Sequence, residues 1–96
     1  MTSRKIRFFP EWGAASPLWE DAHPEYMRLP ESLGLSAALV ADLRSWCRIW
    51  DKYCSPDAGW KDPDIRATWV TLGRELDRRI ALEIAPDMVL QSEWEE

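Results

Sequence analysis

Ninety-six residues with seven tryptophans and a net charge of −5 suit one modest hydrophobic core and exclude a buried cleft between two lobes. The acidic balance argues against a nucleic-acid partner, which needs a concentrated positive face, and against binding to an anionic membrane surface. No apolar run is long enough for a membrane span or a signal peptide, so a cytoplasmic protein is expected.

In chain order, residues 5–9 alternate as a strand does. Ile6 and Phe8 share one face, Lys5, Arg7 and Phe9 share the other, and Pro10 ends the run. Residues 10–35 read as a long loop punctuated by Pro17, Pro24, Pro30, Gly13 and Gly34. A second short strand at 17–20 can return beside the first through Gly13-Ala14-Ala15, and the spaced rings of Trp12, Trp19 and Tyr26 can pin the loop to the body of the domain.

Residues 36–54 have the clearest period in the chain. Placed about 100° apart, Leu39, Val40, Leu43, Trp46, Cys47, Trp50, Tyr53 and Cys54 fall within an arc of roughly 140°, with Arg44, Arg48 and Lys52 opposite. Ser36 is placed to cap this helix, and Ser55-Pro56 stops it. A turn-rich linker leads to Asp62-Pro63-Asp64, a cap, a first-turn proline and a charge suited to the helix dipole, which open a second helix over 63–84. Its apolar stripe is Ile65, Trp69, Leu72, Leu76 and Ile80, and Glu75 and Arg79 are spaced to pair on its exposed side. Gly73 lies at the stripe's margin, and since glycine in a helix costs about 1 kcal/mol relative to alanine, it points to a close crossing with Trp46 or Trp50 as neighbour. Pro86 ends the helix, and residues 87–94 form a last strand with Met88, Leu90 and Trp94 on one face.

The chain ends carry opposite charge, Arg4, Lys5 and Arg7 against Glu93, Glu95 and Glu96, which favours pairing of the terminal strands. The expected fold is a single α+β domain over 1–96, with a two- or three-stranded sheet formed by the terminal strands and covered on one face by an antiparallel helix pair. With the strand at 17–20 present, the last strand runs parallel to the first; without it, antiparallel.

No catalytic signature, metal-ligand spacing or phosphate loop is present, and no cofactor or metal is expected. His23 is the sole histidine. Asp21 and Glu25 are near enough in sequence to orient it, with Ser16 or a cysteine as nucleophile, but a lone histidine in a proline-bounded loop reads as a surface residue. Cys47 and Cys54 lie on one helix at about 10 Å, too far for a disulfide, and read as reduced core residues. The most suggestive feature is the loop, where Trp12, Trp19, Glu20, Asp21, Glu25 and Tyr26, followed by Glu31, set rings among carboxylates as a grip on a basic protein partner requires. The competing reading folds Trp12 and Trp19 back onto the sheet. A second candidate surface is the row Arg44, Arg48 and Lys52, suited to an anion or an acidic partner.

Three phrases, IRFFPEWGAASPLWE, LGLSAALVADLRSW and GRELDRRIALEIAP, resemble a class of small, acidic, tryptophan-rich bacterial proteins of unassigned function. In size and acidity the chain is also similar to immunity proteins, which neutralise toxins by occluding their active sites. That similarity implies a non-catalytic module that binds another protein, as an immunity or antitoxin-like inhibitor. The alternatives are a small-molecule binder or small enzyme with a pocket lined by Trp12, Trp19, Trp46 and Trp60, and a homodimer formed by self-association of exposed aromatics.

Overall fold

The computed structural model describes residues 4–95; Glu96, one of the terminal acids, lies outside them. The elements are β1 (Arg4–Phe8), β2 (Leu18–Trp19), β3 (Met27–Arg28), a 3-10 turn (Pro30–Leu33), α1 (Ala37–Tyr53), β4 (Cys54–Ser55), β5 (Gly59–Trp60), α2 (Pro63–Glu83) and β6 (Met88–Ser92). Two helices pack together and against a mixed sheet in which β1 and β6, the terminal strands, are neighbours.

The sheet has four strands in the order β3-β2-β1-β6, one more than the sequence suggests. β1 pairs with β6 in parallel, from Arg4 opposite Met88 to Phe8 opposite Ser92, and with β2 in antiparallel, Arg7 opposite Trp19 and Phe8 opposite Leu18. β6 thus returns parallel to β1, the outcome expected with a strand at Leu18–Trp19 present. The added strand, β3, is only Met27–Arg28 and has no alternation to betray it. It is held by backbone pairing with β2 and by Ser16, whose buried hydroxyl donates to the Arg28 carbonyl at 2.6 Å. A further hairpin, β4–β5, turns through Gly59 at φ 69° in the linker between the helices.

Alternation along β1 sends Ile6 and Phe8 into the core beneath the helices and leaves Lys5 and Arg7 on the face that no helix covers. Ser36 caps α1 by accepting from the Leu39 N–H. Asp62 caps α2 by accepting from the N–H groups of Asp64 and Ile65, with Pro63 in its first turn. The helices are fastened by a reciprocal pair. Trp46 Nε1 donates to the Trp69 carbonyl at 2.9 Å, Trp69 Nε1 donates to the Trp46 carbonyl at 3.1 Å, and the rings stack with centroids 4.3 Å apart.

Gly73 sits under this stack. A Cβ there would lie 2.7 Å from Trp94 Cη2 and 3.0 Å from Trp46 Cζ2, so the close crossing involves Trp46 as expected and, nearer still, Trp94. Two expectations differ in detail. Tyr53 and Leu72 belong to the apolar stripes yet stay exposed, because the stripes are wider than the sheet can cover. Arg79 reaches across to Asp42 at 2.6 Å, and Glu75 meets Arg78 instead.

Candidate functional site

The β2–β3 hairpin carries five of the six loop residues singled out above, and the alternation of β2 sets Trp19 and Glu20 on opposite sides. Trp19, opposite Arg7, lies on the uncovered sheet face. Its ring stacks on Phe9 at 5.1 Å, its Nε1 donates to the Phe9 carbonyl at 3.0 Å, and Tyr26 leans on its far side. Only 8% of it remains exposed. Glu20 points the other way and is 5% exposed. Its carboxylate accepts from Arg4 Nε and Nη2 at 2.8 and 2.9 Å and from Arg28 Nη1 at 2.6 Å. The hydrogen bond from Arg4, with that from Arg28, outweighs the cost of burial and holds the Glu20 carboxyl down to about 2. Trp19 and Glu20 are thus largely buried at the base of the hairpin.

Asp21, Glu25 and Tyr26 remain exposed, and Asp21 and Tyr26 both meet Arg7. Arg7 Nη1 donates to Asp21 Oδ1 and to the Tyr26 hydroxyl, each at 3.1 Å, while Nε donates to Glu93 at 2.9 Å. Its guanidinium also lies 5.1 Å from the Phe9 ring centroid. His23 is a turn-former here: its Nδ1 accepts from the Glu25 N–H at 3.0 Å. The groups considered as its nucleophile are committed elsewhere. Ser16 is buried between Arg28 and Leu18, and burial, with Asp51 adding repulsion, pushes the Cys47 thiol up to about 12.

Trp12 belongs to the other end of the same surface. It stacks on Trp50 with centroids 3.7 Å apart, and its Nε1 donates to the Cys54 carbonyl at 2.7 Å. Between Trp12 and the hairpin lies an open cleft of about 300 Å³ lined by Arg7, Phe9, Pro10, Trp50, Glu93 and Trp94. Past Trp50 and Trp94 it meets a second cleft of about 230 Å³, walled by Trp50, Trp60, Trp69 and Trp94 with Arg66 and Glu95 at its edge. The result is one continuous band of rings and charges, from the hairpin through Arg7 to Trp60.

Arg7, Trp50, Arg66, Glu93 and Trp94 are among the parts of this band that the sequence did not mark as a site. Trp50 reads as core by helical period, and Trp94 as the end of a strand. Of the pocket imagined from Trp12, Trp19, Trp46 and Trp60, Trp60 does line a cleft, while Trp46 is core, Trp19 lies on the uncovered sheet face and Trp12 packs on Trp50. The cationic row of α1 is exposed. Arg44 is paired with Glu31, Lys52 Nζ lies 5.2 Å from the Tyr53 ring, and Arg48 borders a shallow groove with Ala14, Ala15 and Asp51.

Among the described residues no three His, Cys, Asp or Glu side chains are grouped to hold a metal ion, and no helix is long and apolar enough to cross a membrane.

Fold and surface together define a small α+β domain with an aromatic, acid-rich face. From Arg4, the first residue of β1, to Gln91 in β6, the chain matches the family described as Serratia CdiI immunity protein-like, residues 4–91, and it belongs to that family. No curated protein matches it.

Proposed function

We propose that this chain is a cytoplasmic immunity protein, a non-catalytic module acting as one folded unit, that binds a toxic partner protein and holds it inactive. The family match over residues 4–91 carries this reading, because it runs from the start of β1 into β6 and so takes in both helices and the sheet. The surface supports it. Rings supply contact area at low entropic cost, and carboxylates set approach and register on a basic face. Trp12, Asp21, Glu25 and Tyr26 face the partner, Trp19 and Glu20 hold them in place, and Arg44, Arg48 and Lys52 form a second, weaker contact surface.

The test begins with the chain as bait in a lysate of its source organism. The retained protein is then expressed alone and together with the chain. Alone it should arrest growth, and the wild-type chain should restore it. The double variant Asp21→Lys/Tyr26→Ala should fold normally and weaken the complex by about 10- to 100-fold, the range set by losing one anchor ring and reversing one charge. A retained protein that is harmless by itself overturns the immunity reading. A toxic partner whose binding ignores the double variant but fails with Arg44→Glu/Arg48→Glu moves the interface to α1.

A further inference from the structure

The two clefts each carry one arginine and one glutamate, and they differ in what holds the arginine. Arg66, near the start of α2, is the cation at a wall made of Trp50, Trp60, Trp69 and Trp94. Among the described residues every other arginine except Arg48 is held by a carboxylate, and Arg66 is not. Two acids close to it in sequence or in the cleft have other partners. Asp62 accepts from the N–H groups of Asp64 and Ile65 as the cap of α2, and Glu95, in the same cleft, is bound by Arg74 at 2.6 Å. A guanidinium set against indole walls pairs more strongly with an anion than one on an open surface, since the walls exclude water from one side of the pair.

We propose that this cleft is a carboxylate-recognition subsite, in which Arg66 pairs with the acid and the faces of Trp50, Trp60 and Trp94 cover its apolar stem. Its size fixes the class of ligand. At about 230 Å³ it is smaller than the ~300–1,000 Å³ of drug-sized sites, so it holds one side chain or a metabolite of similar bulk. The acid arrives either as an aspartate or glutamate of a protein partner or as a small free carboxylate. Either source uses the same contacts. A cationic ligand is excluded by Arg66 itself and by the engagement of Glu95 with Arg74.

The probe is N-acetylglutamate methylamide, with the matching glutamine compound as its uncharged twin. Each is titrated into the 15N-labelled chain while the indole Nε1–H signals are followed. The glutamate compound should shift the Trp60 and Trp50 signals saturably, with a dissociation constant on the order of 1–10 mM, as suits a single charged contact. Arg66→Gln, an exposed substitution whose thermal midpoint is checked against wild type, should weaken it at least tenfold, and Arg66→Lys should recover part of the loss. Equal shifts from the glutamine twin, or undiminished binding by Arg66→Gln, overturn the proposal. The source of the acid is read by repeating the bait experiment with Arg66→Gln. Reduced retention assigns the acid to a protein partner, and unchanged retention beside lost probe binding assigns it to a free carboxylate. Because the probe titration needs no partner, failure of the immunity reading leaves it intact.

Discussion

Glu20 is a buried carboxylate between two arginines, and its environment turns acid into a perturbant of the fold. Its carboxyl is held at about 2, below the ordinary value of 4.5, so its contribution is complete above the ordinary value and is lost as pH falls from about 4.5 towards 2. Removing the charge leaves Arg28 buried without a counterion, while Arg4 still reaches water. Glu20→Gln should therefore cost about 2–3 kcal/mol near neutrality and flatten part of the stability decline between about pH 5 and 2. The remaining slope belongs to acids such as Glu31, lowered by a backbone hydrogen bond and then by Arg44, and Glu93, lowered first by the hydrogen bond from Arg7. Thermal unfolding of both proteins across that pH range decides the matter, and parallel curves would sink the assignment. Gly73 gives a second prediction at this scale. Alanine should gain about 1 kcal/mol of helix propensity but force the Trp94 ring away from a position tethered by its Nε1 bond to Asp77 at 3.1 Å. Overpacking of this kind costs about 1–3 kcal/mol, so Gly73→Ala should lower the thermal midpoint by several degrees, and a raised midpoint would contradict the contact.

Between elements, the Trp46–Trp69 exchange is the principal fastening of α1 to α2. Trp46→Phe keeps an aromatic ring but deletes the donor to the Trp69 carbonyl and opens space beside Gly73 and Phe8. The expected cost is about 2–4 kcal/mol, seen as a lower urea midpoint at unchanged slope. A loss below about 0.5 kcal/mol, the range of ordinary surface changes, would mean that the helices are held elsewhere. These helices were legible in the sequence because Ser36 and Asp62-Pro63 mark their starts and the apolar period runs unbroken between turn signals. The interior glycine announced the crossing with Trp46 for the same reason: its cost demands a neighbour. The two-residue strands β3 and β4–β5 left no such mark. They rest on partners distant in sequence, Ser16 on Arg28 and Trp12 on Cys54, which no local period records. In the band, the residues marked out by sequence were Asp21 and Tyr26, which turn chemistry exposes, and the loop and linker tryptophans Trp12 and Trp60. Whether a given tryptophan is wall, rim or core depends on which elements meet around it, so Trp19 behind the hairpin and Trp50 at the cleft could not be told apart by composition or period.

For the whole molecule, the net charge of −5 gives the immunity reading a kinetic signature. An acidic chain meeting a basic partner is steered by long-range attraction, which salt shortens to about 8 Å at physiological strength. The association rate should fall about tenfold between low and high salt while the dissociation rate changes little, as stopped-flow mixing would record. A rate indifferent to salt would indicate apolar docking instead.

The parallel pairing of β1 with β6 has a consequence in time. Partners such as Arg4 and Met88 are separated by about 80 residues, so at about 5–20 residues per second β1 waits roughly 4–16 s on the ribosome before its neighbour exists. Until then Ile6 and Phe8 lack one flank of their sheet, and Arg7 lacks Glu93. Arg7 is also the residue that steadies Asp21 and Tyr26, so the hairpin matures last although it is translated early. On the proposed immunity reading, half-made copies give no protection, and the defence at any moment is the stock of chains already finished.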